Sequence, residues 1–340
     1  MKATLLTGLR TLETRDVPSP EAPEGWARVR MRHVGVCGSD IHYWAAGRIG
    51  DQVVKYPFVL GHEGAGEVLD GAGALPPGTP VFVEPAISCG ECDQCLLGRE
   101  NTCRKLRFLG NPQELAGCLC EELVMPARCA LPLPASIPLD QAALLEPLAI
   151  GVYAVQRSRI RHGQRAAVVG AGPIGLSVLA ALGATAGEPL VSEPVEARRR
   201  AALALGAARV FDPGAGSAAG AVREASAGGV DVAFECVGSP EAIDDAAHML
   251  APGGTLVLIG IPEGIDRVPF DSHLMRRQEI TAVNIRRQNK CTVRAMNLLA
   301  TDPRIAATMI THRFPAARAG EAFDLVSRRA DGVIKAMVDL

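Results

Sequence analysis

The chain has 340 residues, of which 48 % are hydrophobic and 21 % charged, and its formal net charge is −2. This composition fits a two-domain globular protein and gives no electrostatic basis for binding nucleic acid or an anionic membrane. No apolar run reaches the roughly 20 residues that span a bilayer, and the first residues lack the apolar stretch of a signal peptide. We therefore expect a cytoplasmic protein. The chain has ten cysteines, and in that reducing compartment they indicate metal binding rather than disulfide bonds.

The pattern of apolar residues divides the chain. Residues 1–147 alternate short apolar runs with Gly and Pro turns, which predicts the strands of a β-rich domain. Residues 148–282 repeat an apolar strand, a glycine turn and an alanine-rich helix, which predicts a parallel, doubly wound sheet. Residues 283–340 contain two helical segments and the closing strand GVIKAMVDL. The fold class is therefore α/β.

Three segments carry candidate metal ligands: GVCGSDIHYW, GHEGAGEV and LLEPLAIG. A catalytic zinc needs about three protein ligands and one open position, and a thiol, an imidazole and one or two carboxylates supply that set. Taken singly, each residue also has a structural reading as a buried thiol, a core histidine or a solvated carboxylate. The candidate ligands are Cys37, His62, Glu63 and Glu146.

The segment CGECDQCLLGRENTC contains four closely spaced cysteines. Four thiolates so near in sequence can close a tetrahedron around zinc with little loop entropy to overcome, and a closed tetrahedron is typical of a structural site. The alternative is a set of free thiols or two disulfides. The predicted ligands of this structural zinc are Cys89, Cys92, Cys95 and Cys103.

The segment VVGAGPIG follows an apolar strand and opens an alanine-rich helix. Its glycines permit a tight turn and a close approach of the backbone to a pyrophosphate, which the helix N-terminus attracts. Glu193 ends the next strand, where its carboxylate can accept hydrogen bonds from a ribose and repel a 2′-phosphate, so NAD is predicted over NADP. The arginines at 198–200 leave open the alternative of a phosphate there. The turn comprises Gly170, Gly172, Pro173, Ile174 and Gly175.

These motifs together resemble the zinc-containing medium-chain dehydrogenases over essentially the whole chain. Within that group, CGSDIHYWAAGRIGDQVV is similar to the sorbitol and xylitol dehydrogenases. The resemblance implies a GroES-like catalytic domain (1–147), a Rossmann NAD-binding domain (148–282) and a C-terminal return to the catalytic domain (283–340). It also implies that Cys37, His62 and Glu63 bind the catalytic zinc, and that Glu146 touches this metal directly or through its water.

Further roles follow from the same resemblance. Ser39 and His42 would relay the substrate proton to the surface, and Arg198 would flank the adenine. Arg287 departs from the family, because the polyol enzymes carry a tyrosine there. A second guanidinium could select a carboxylate-bearing sugar acid, or Arg287 could face solvent. The expected substrate contacts are Tyr43, Phe108, Arg286 and Arg287.

The predicted function is a zinc-dependent, NAD-linked dehydrogenase that oxidises a secondary hydroxyl of a polyol to a ketose, with one catalytic and one structural Zn²⁺. Its alternatives are a dehydrogenase of an acidic sugar (an aldonate) or of another secondary alcohol. A different class is a non-catalytic regulatory protein that binds nucleotide and zinc. The intact set of Cys37, His62 and Glu63 argues against a zinc-free reductase of the same fold. The resemblance also predicts a homodimer or homotetramer.

Overall fold

The structure is a computed structural model that describes residues 1–70, 75–183, 185–262, 264–265 and 267–340. The chain forms two compact units, of which the first contains Met1–Glu146 and Ile310–Leu340 and the second contains Pro147–Met309. Within the described ranges, every helix is too short or too polar to cross a membrane.

The N-terminal part of the first unit consists mainly of short strands, because its apolar residues recur at every second position. Its helices are α1 (Gly38–Ala46) and α2 (Asp93–Leu96). Its strands are β1 (Lys2–Gly8), β2 (Thr11–Asp16), β3 (Trp26–Gly35), β4 (Arg48–Ile49), β5 (Gln52–Val53), β6 (Phe58–Val59), β7 (Glu63–Asp70), β8 (Pro80–Val83), β9 (Ala86–Ile87), β10 (Arg107–Phe108), β11 (Glu122–Pro126) and β12 (Ala130–Pro132).

The second unit alternates strands and helices, and its six strands form one parallel sheet in the order β15-β14-β13-β16-β17-β18. This sheet and the strand-rich first unit confirm the predicted α/β class. The elements are α3 (Leu145–Ser158), β13 (Ala166–Val169), α4 (Pro173–Leu182), β14 (Leu190–Ser192), α5 (Glu196–Ala204), β15 (Arg209–Phe211), α6 (Ala218–Ala225), β16 (Val230–Glu235), α7 (Pro240–His248), β17 (Leu250–Leu258), α8 (Ser272–Arg277), β18 (Thr281–Asn284), α9 (Thr292–Thr301) and α10 (Arg304–Met309).

The chain returns to the first unit at β19 (Ile310–Pro315), followed by α11 (Ala319–Arg328) and β20 (Lys335–Asp339). This return is later than the residue 283 expected from the sequence. The reason is that β18 adds a sixth strand beside β17, and α10 then packs on α4 and α5. In the first unit, β20 pairs with β3, giving the sheet order β12-β8-β7-β3-β20-β19 with β11 also beside β3.

Candidate functional site

A thiol, an imidazole and a carboxylate meet in the first unit. Cys37 precedes α1, whereas Glu63 is the first residue of β7 and His62 lies directly before it. β3 leads into Cys37 and runs antiparallel to β7, with Gly35 opposite Glu63. This pairing brings the two segments together, and one donor atom from each of the three candidate ligands lies within 4.8 Å of the others.

Asp40, which the sequence analysis missed, holds the imidazole of this cluster. Its Oδ1 lies 3.3 Å from His62 Nδ1, and its carboxylate accepts hydrogen bonds from the backbone N–H groups of Cys37 (3.1 Å) and Gly61 (3.2 Å). A carboxylate on Nδ1 fixes the tautomer and leaves Nε2 for a metal. The available signal was the position of Asp40 in the first turn of α1, where an acidic side chain caps the backbone.

The charge on Asp40 also affects the protonation of the ligand it holds. Burial by itself lowers the pKa of His62, but the Asp40 carboxylate and the Cys37 sulfur outweigh it and raise the pKa well above the ordinary value. A metal ion and a proton would therefore compete for this imidazole.

Lys335 is the second residue that the sequence analysis missed. Its ammonium donates to both carboxylate oxygens of Glu63, each at 2.7 Å, and to the carbonyl oxygen of Val36 at 3.1 Å. Burial lowers the pKa of Lys335, but the Glu63 carboxylate has the opposite effect and leaves the pKa above its ordinary value. Lys335 reaches the cluster only because β20 lies beside β3.

The first unit contains three further catalytic candidates, which lie at α1 and at the start of α3. Glu146 is buried at the start of α3. Burial raises the pKa of its carboxyl group to about 7, although the positive charge of His62 acts to lower it. Among the described residues, the ligand atoms that lie within 4.8 Å of one another here are those of Cys37, His62 and Glu63, and Glu146 is not part of this set. The Ser39 hydroxyl lies 3.5 Å from Cys37 Sγ, and His42 lies half-buried on the same helix, α1.

The two aromatic candidates differ in their surroundings. The ring of Phe108 lies 5.3 Å from the imidazole of His62, centroid to centroid, so it borders the donor cluster. Tyr43 is buried instead. Its hydroxyl lies 2.9 Å from Gln52 Oε1 and 3.2 Å from Asn111 Oδ1, so the hydroxyl hydrogen already has acceptors within the protein.

The four cysteines of the predicted lobe also converge. Four of their sulfur–sulfur distances are 3.5, 3.6, 3.9 and 4.0 Å. A zinc tetrahedron with Zn–S bonds of about 2.3 Å requires about 3.8 Å between sulfurs. Backbone N–H groups lower the pKa of Cys92 to about 6, whereas burial raises that of Cys95 to about 12. A zinc ion in the lobe would stabilise the thiolate form of all four groups. The four ligand positions are Cys89, Cys92, Cys95 and Cys103.

The glycine turn of the second unit connects β13 to α4. Gly170 has a φ of 91°, and a Cβ on Gly175 would lie 1.8 Å from the Gly170 carbonyl oxygen, so neither position accepts a larger residue without strain. Gly172 is the N-cap of α4, Pro173 its first residue and Ile174 a half-buried second residue. The free N–H groups of such a helix start are suited to a phosphate.

Glu193, which directly follows β14, stabilises this turn through hydrogen bonds. Its buried carboxylate accepts hydrogen bonds from the backbone N–H groups of Ala171 (2.6 Å) and Val195 (2.9 Å). The carboxylate expected to receive a ribose therefore also stabilises the glycine turn.

The neighbouring arginines have separate partners. Arg199 pairs with Asp212 at 3.0 Å and donates to two backbone carbonyls, and Arg200 pairs with Glu196. The guanidinium of Arg198 lies 3.9 Å from the position that a Cβ on Gly172 would occupy, so it borders the glycine turn.

The two predicted substrate arginines lie after β18 in the second unit. Arg286 is exposed. Arg287 is half-buried and has a left-handed φ of 56°.

Comparisons with known proteins bear on the same regions. Residues 23–135 match the model of the alcohol dehydrogenase GroES-like domain, and residues 170–301 match that of the zinc-binding dehydrogenases. Sorbitol dehydrogenase of Bacillus subtilis is 30 % identical over 99 % of this chain and 97 % of its own. L-idonate 5-dehydrogenase of Vitis vinifera is 31 % identical over 99 % and 94 %. A Sinorhizobium meliloti structure assigned as a zinc-binding dehydrogenase, bound to NADP, has a TM-score of 0.89 and 30 % identity, and the match covers 100 % of this chain and 99 % of that one.

Proposed function

Because this chain belongs to the zinc-containing medium-chain dehydrogenases and is similar to their sorbitol dehydrogenases, we propose that it oxidises a secondary hydroxyl of a polyol to a ketose. The hydride passes to a nicotinamide dinucleotide. The observation that carries this proposal is the cluster of half-buried Cys37 with buried His62 and Glu63, whose donor atoms lie within 4.8 Å of one another. A regulatory protein without catalysis would not need this donor set.

The donor chemistry fits zinc at two places. A thiolate, an imidazole and a carboxylate match a catalytic site, and four thiolates match a structural one. Zinc in the catalytic site would lower the pKa of a hydroxyl group that binds to it. We assign Cys37, His62 and Glu63 to that ion, with Glu146 beside it, and the cysteine lobe to the second ion.

The remaining residues of the first unit handle the proton and the substrate. Ser39 and His42 lie on α1 next to Cys37, and we assign them the transfer of the hydroxyl proton towards solvent. Phe108 covers one side of His62 and excludes water there. Tyr43 contributes its ring to the substrate wall, because its hydroxyl is already held by Gln52 and Asn111.

The second unit is assigned to the dinucleotide, with NAD preferred. The Glu193 carboxylate is fixed by Ala171 and Val195, and its negative charge opposes a 2′-phosphate. Arg199 pairs with Asp212, and Arg198, which borders the glycine turn, is assigned to flank the adenine. Comparing kcat/KM for NAD and NADP tests the preference, and Glu193→Ala is expected to reduce it. A wild-type protein that works better with NADP would contradict this assignment.

A sugar acid is the second candidate substrate. The positive charges of Arg286 and Arg287 suit a carboxylate, and one relative of this chain is an L-idonate 5-dehydrogenase. Assays that pair each neutral polyol with its aldonate separate the two substrates. If the sugar acid is the substrate, Arg287→Gln should raise the KM for the aldonate and leave the KM for the neutral polyol unchanged.

We further propose a cytoplasmic homodimer or homotetramer. None of the ten cysteines forms a disulfide, which suits a reducing compartment. β18 ends the parallel sheet with mostly exposed residues, and an exposed edge strand can pair with a second copy. Light scattering coupled to size-exclusion chromatography measures the assembly, and a monomer at working concentration would contradict it.

The decisive experiment is NADH fluorescence during incubation with a panel of polyols. Turnover is expected to stop with a zinc chelator and in His62→Ala, whereas NADH binding to His62→Ala should persist, since the nucleotide residues lie in the second unit. His273→Ala, at an exposed position, is the matched control. Undiminished turnover by metal-free His62→Ala would refute the proposal.

A further inference from the structure

Three polar side chains meet in the first unit: Tyr43 of α1, Gln52 of β5 and Asn111 from the turn after β10. The Tyr43 hydroxyl lies 2.9 Å from the side-chain oxygen of Gln52 and 3.2 Å from that of Asn111. Tyr43 and Asn111 are buried, and Gln52 is half-buried. These three residues are called the amide–tyrosine cluster below.

The amide–tyrosine cluster is anchored next to the predicted metal ligands from two sides. Tyr43 follows Ser39 by four residues, so both lie on one face of α1, and the Ser39 hydroxyl is 3.5 Å from Cys37 Sγ. On the other side, the backbone N–H of Asn111 donates to the carbonyl oxygen of Phe108, whose ring borders the donor cluster. A substrate bound at the proposed metal would therefore extend along these side chains.

The members of this cluster offer more hydrogen-bonding groups than they can satisfy among themselves. The Tyr43 hydroxyl has one hydrogen, so it can donate to only one of the two amide oxygens at a time. The amides of Gln52 and Asn111 also carry two N–H donors each, and none of the residues that the structure describes accepts a hydrogen bond from them. Such groups need water or a ligand as a partner, because leaving them unpaired costs free energy.

The chemistry of a polyol meets both needs. A hydroxyl group on the carbon chain can donate to an amide oxygen and accept from an amide N–H. An alkyl chain in the same place would displace water and leave the amides without partners, and a site of this kind discriminates strongly against such an analogue.

We propose that Gln52 and Asn111 are specificity-determining residues, which select a substrate whose carbon chain carries hydroxyl groups beyond the one that reacts. The Tyr43 hydroxyl holds the two amides in place for this purpose. This inference rests on the proposed function, and it specifies the substrate class as a polyhydroxylated chain in preference to a simple secondary alcohol.

The experiment compares sorbitol with hexan-2-ol, which has a carbon chain of the same length and a single hydroxyl. Gln52→Met and Asn111→Leu keep side chains of similar size and remove the amide. Each variant should lower kcat/KM for sorbitol about tenfold and leave kcat/KM for hexan-2-ol unchanged or higher. A residue that merely supports the fold would lower kcat/KM for both substrates by the same factor. Gln113→Met, at an exposed amide, is the matched control and should change neither value.

Binding without turnover supplies a second measurement. Sorbitol and NADH are both reduced, so zinc-loaded protein that already holds NADH can bind sorbitol without reacting, and titration calorimetry then gives the Kd. The Kd for sorbitol should rise about tenfold in Gln52→Met and in Asn111→Leu, whereas the Kd for hexan-2-ol should not rise. If another polyol of the panel is oxidised faster, that polyol and the alkan-2-ol of the same chain length replace this pair.

Equal losses for both substrates, or variants that keep the wild-type kcat/KM for the polyol, would overturn the inference and leave the proposed function in place. A wild-type protein that oxidises the simple alcohol as efficiently as the polyol would also overturn it. If Asn111→Leu does not fold, Gln52→Met decides the question at its half-buried position. A wild-type protein that oxidises none of the polyols would instead refute the proposed function, so the two failures are distinguishable.

Discussion

Replacing Asp40 with Asn tests whether this buried carboxylate organises the metal cluster. Asp40 accepts from Cys37 N–H on one oxygen, and from Gly61 N–H and His62 Nδ1 on the other. The amide of Asn can present an oxygen to only one of these two sides, and its NH₂ group must face donors on the other. At least one buried donor then loses its partner, which costs about 2 kcal/mol of stability.

The same substitution weakens the hold on the imidazole. Loss of a partner that orients a metal ligand lowers metal affinity about 10- to 100-fold. Urea unfolding of the metal-free protein and zinc competition with a chelator measure the two effects separately. Asp51→Asn, at an exposed position, is the matched control. If Asp40→Asn stays within about 0.5 kcal/mol of wild type, as surface substitutions do, and binds zinc equally well, the role assigned to Asp40 is wrong.

Further substitutions test the lobe, the glycine turn and the close approach at Glu63. Cys95→Ser should lose one equivalent of zinc by elemental analysis and lower the thermal midpoint; unchanged metal content would contradict the lobe site. Gly175→Ala should destabilise by about 1–3 kcal/mol in urea and weaken NADH binding, whereas Gly320→Ala, which meets nothing within 4 Å in helix α11, should be neutral or stabilising. Gly35→Ala should displace the Glu63 carboxylate, because a Cβ at residue 35 would collide with Glu63 Oε2, and should weaken zinc binding; full zinc affinity would contradict this contact.

The sequence predicted best what is encoded locally. The alternation of strands and alanine-rich helices predicted the α/β class, and the parallel sheet of the second unit confirms it. The cysteines at 89–103 and the turn at 170–175 are short segments whose residue types and spacing already restrict the geometry. In these two segments the geometry of the site is set largely by neighbouring residues in the chain and depends little on contacts with distant strands.

What the sequence could not predict depends on pairing between distant strands. Lys335 follows an ordinary alternating pattern in GVIKAMVDL, and nothing near it in the chain marks a buried charge. It meets Glu63 only after β20 inserts beside β3. The return at Ile310 was missed for a related reason. The sequence of β18 is compatible with the last strand of the second unit or with the first strand of the returning segment, and only its pairing with β17 assigns it to the second unit.

The two predicted metal sites also differ in how they are stabilised without an ion. In the donor cluster, His62 has Asp40 and Glu63 has Lys335 as buried partners of opposite charge. Paired charges cost far less to bury than isolated ones, so the fold can form this site before a metal arrives. In the cysteine lobe, burial raises the pKa of the Cys95 thiol to about 12, and the nearby cations Arg104 and Lys105 are paired with Asp93 and Glu91. The four thiolates of the lobe therefore depend more on the charge of a metal ion than the donor cluster does, as expected of a structural zinc.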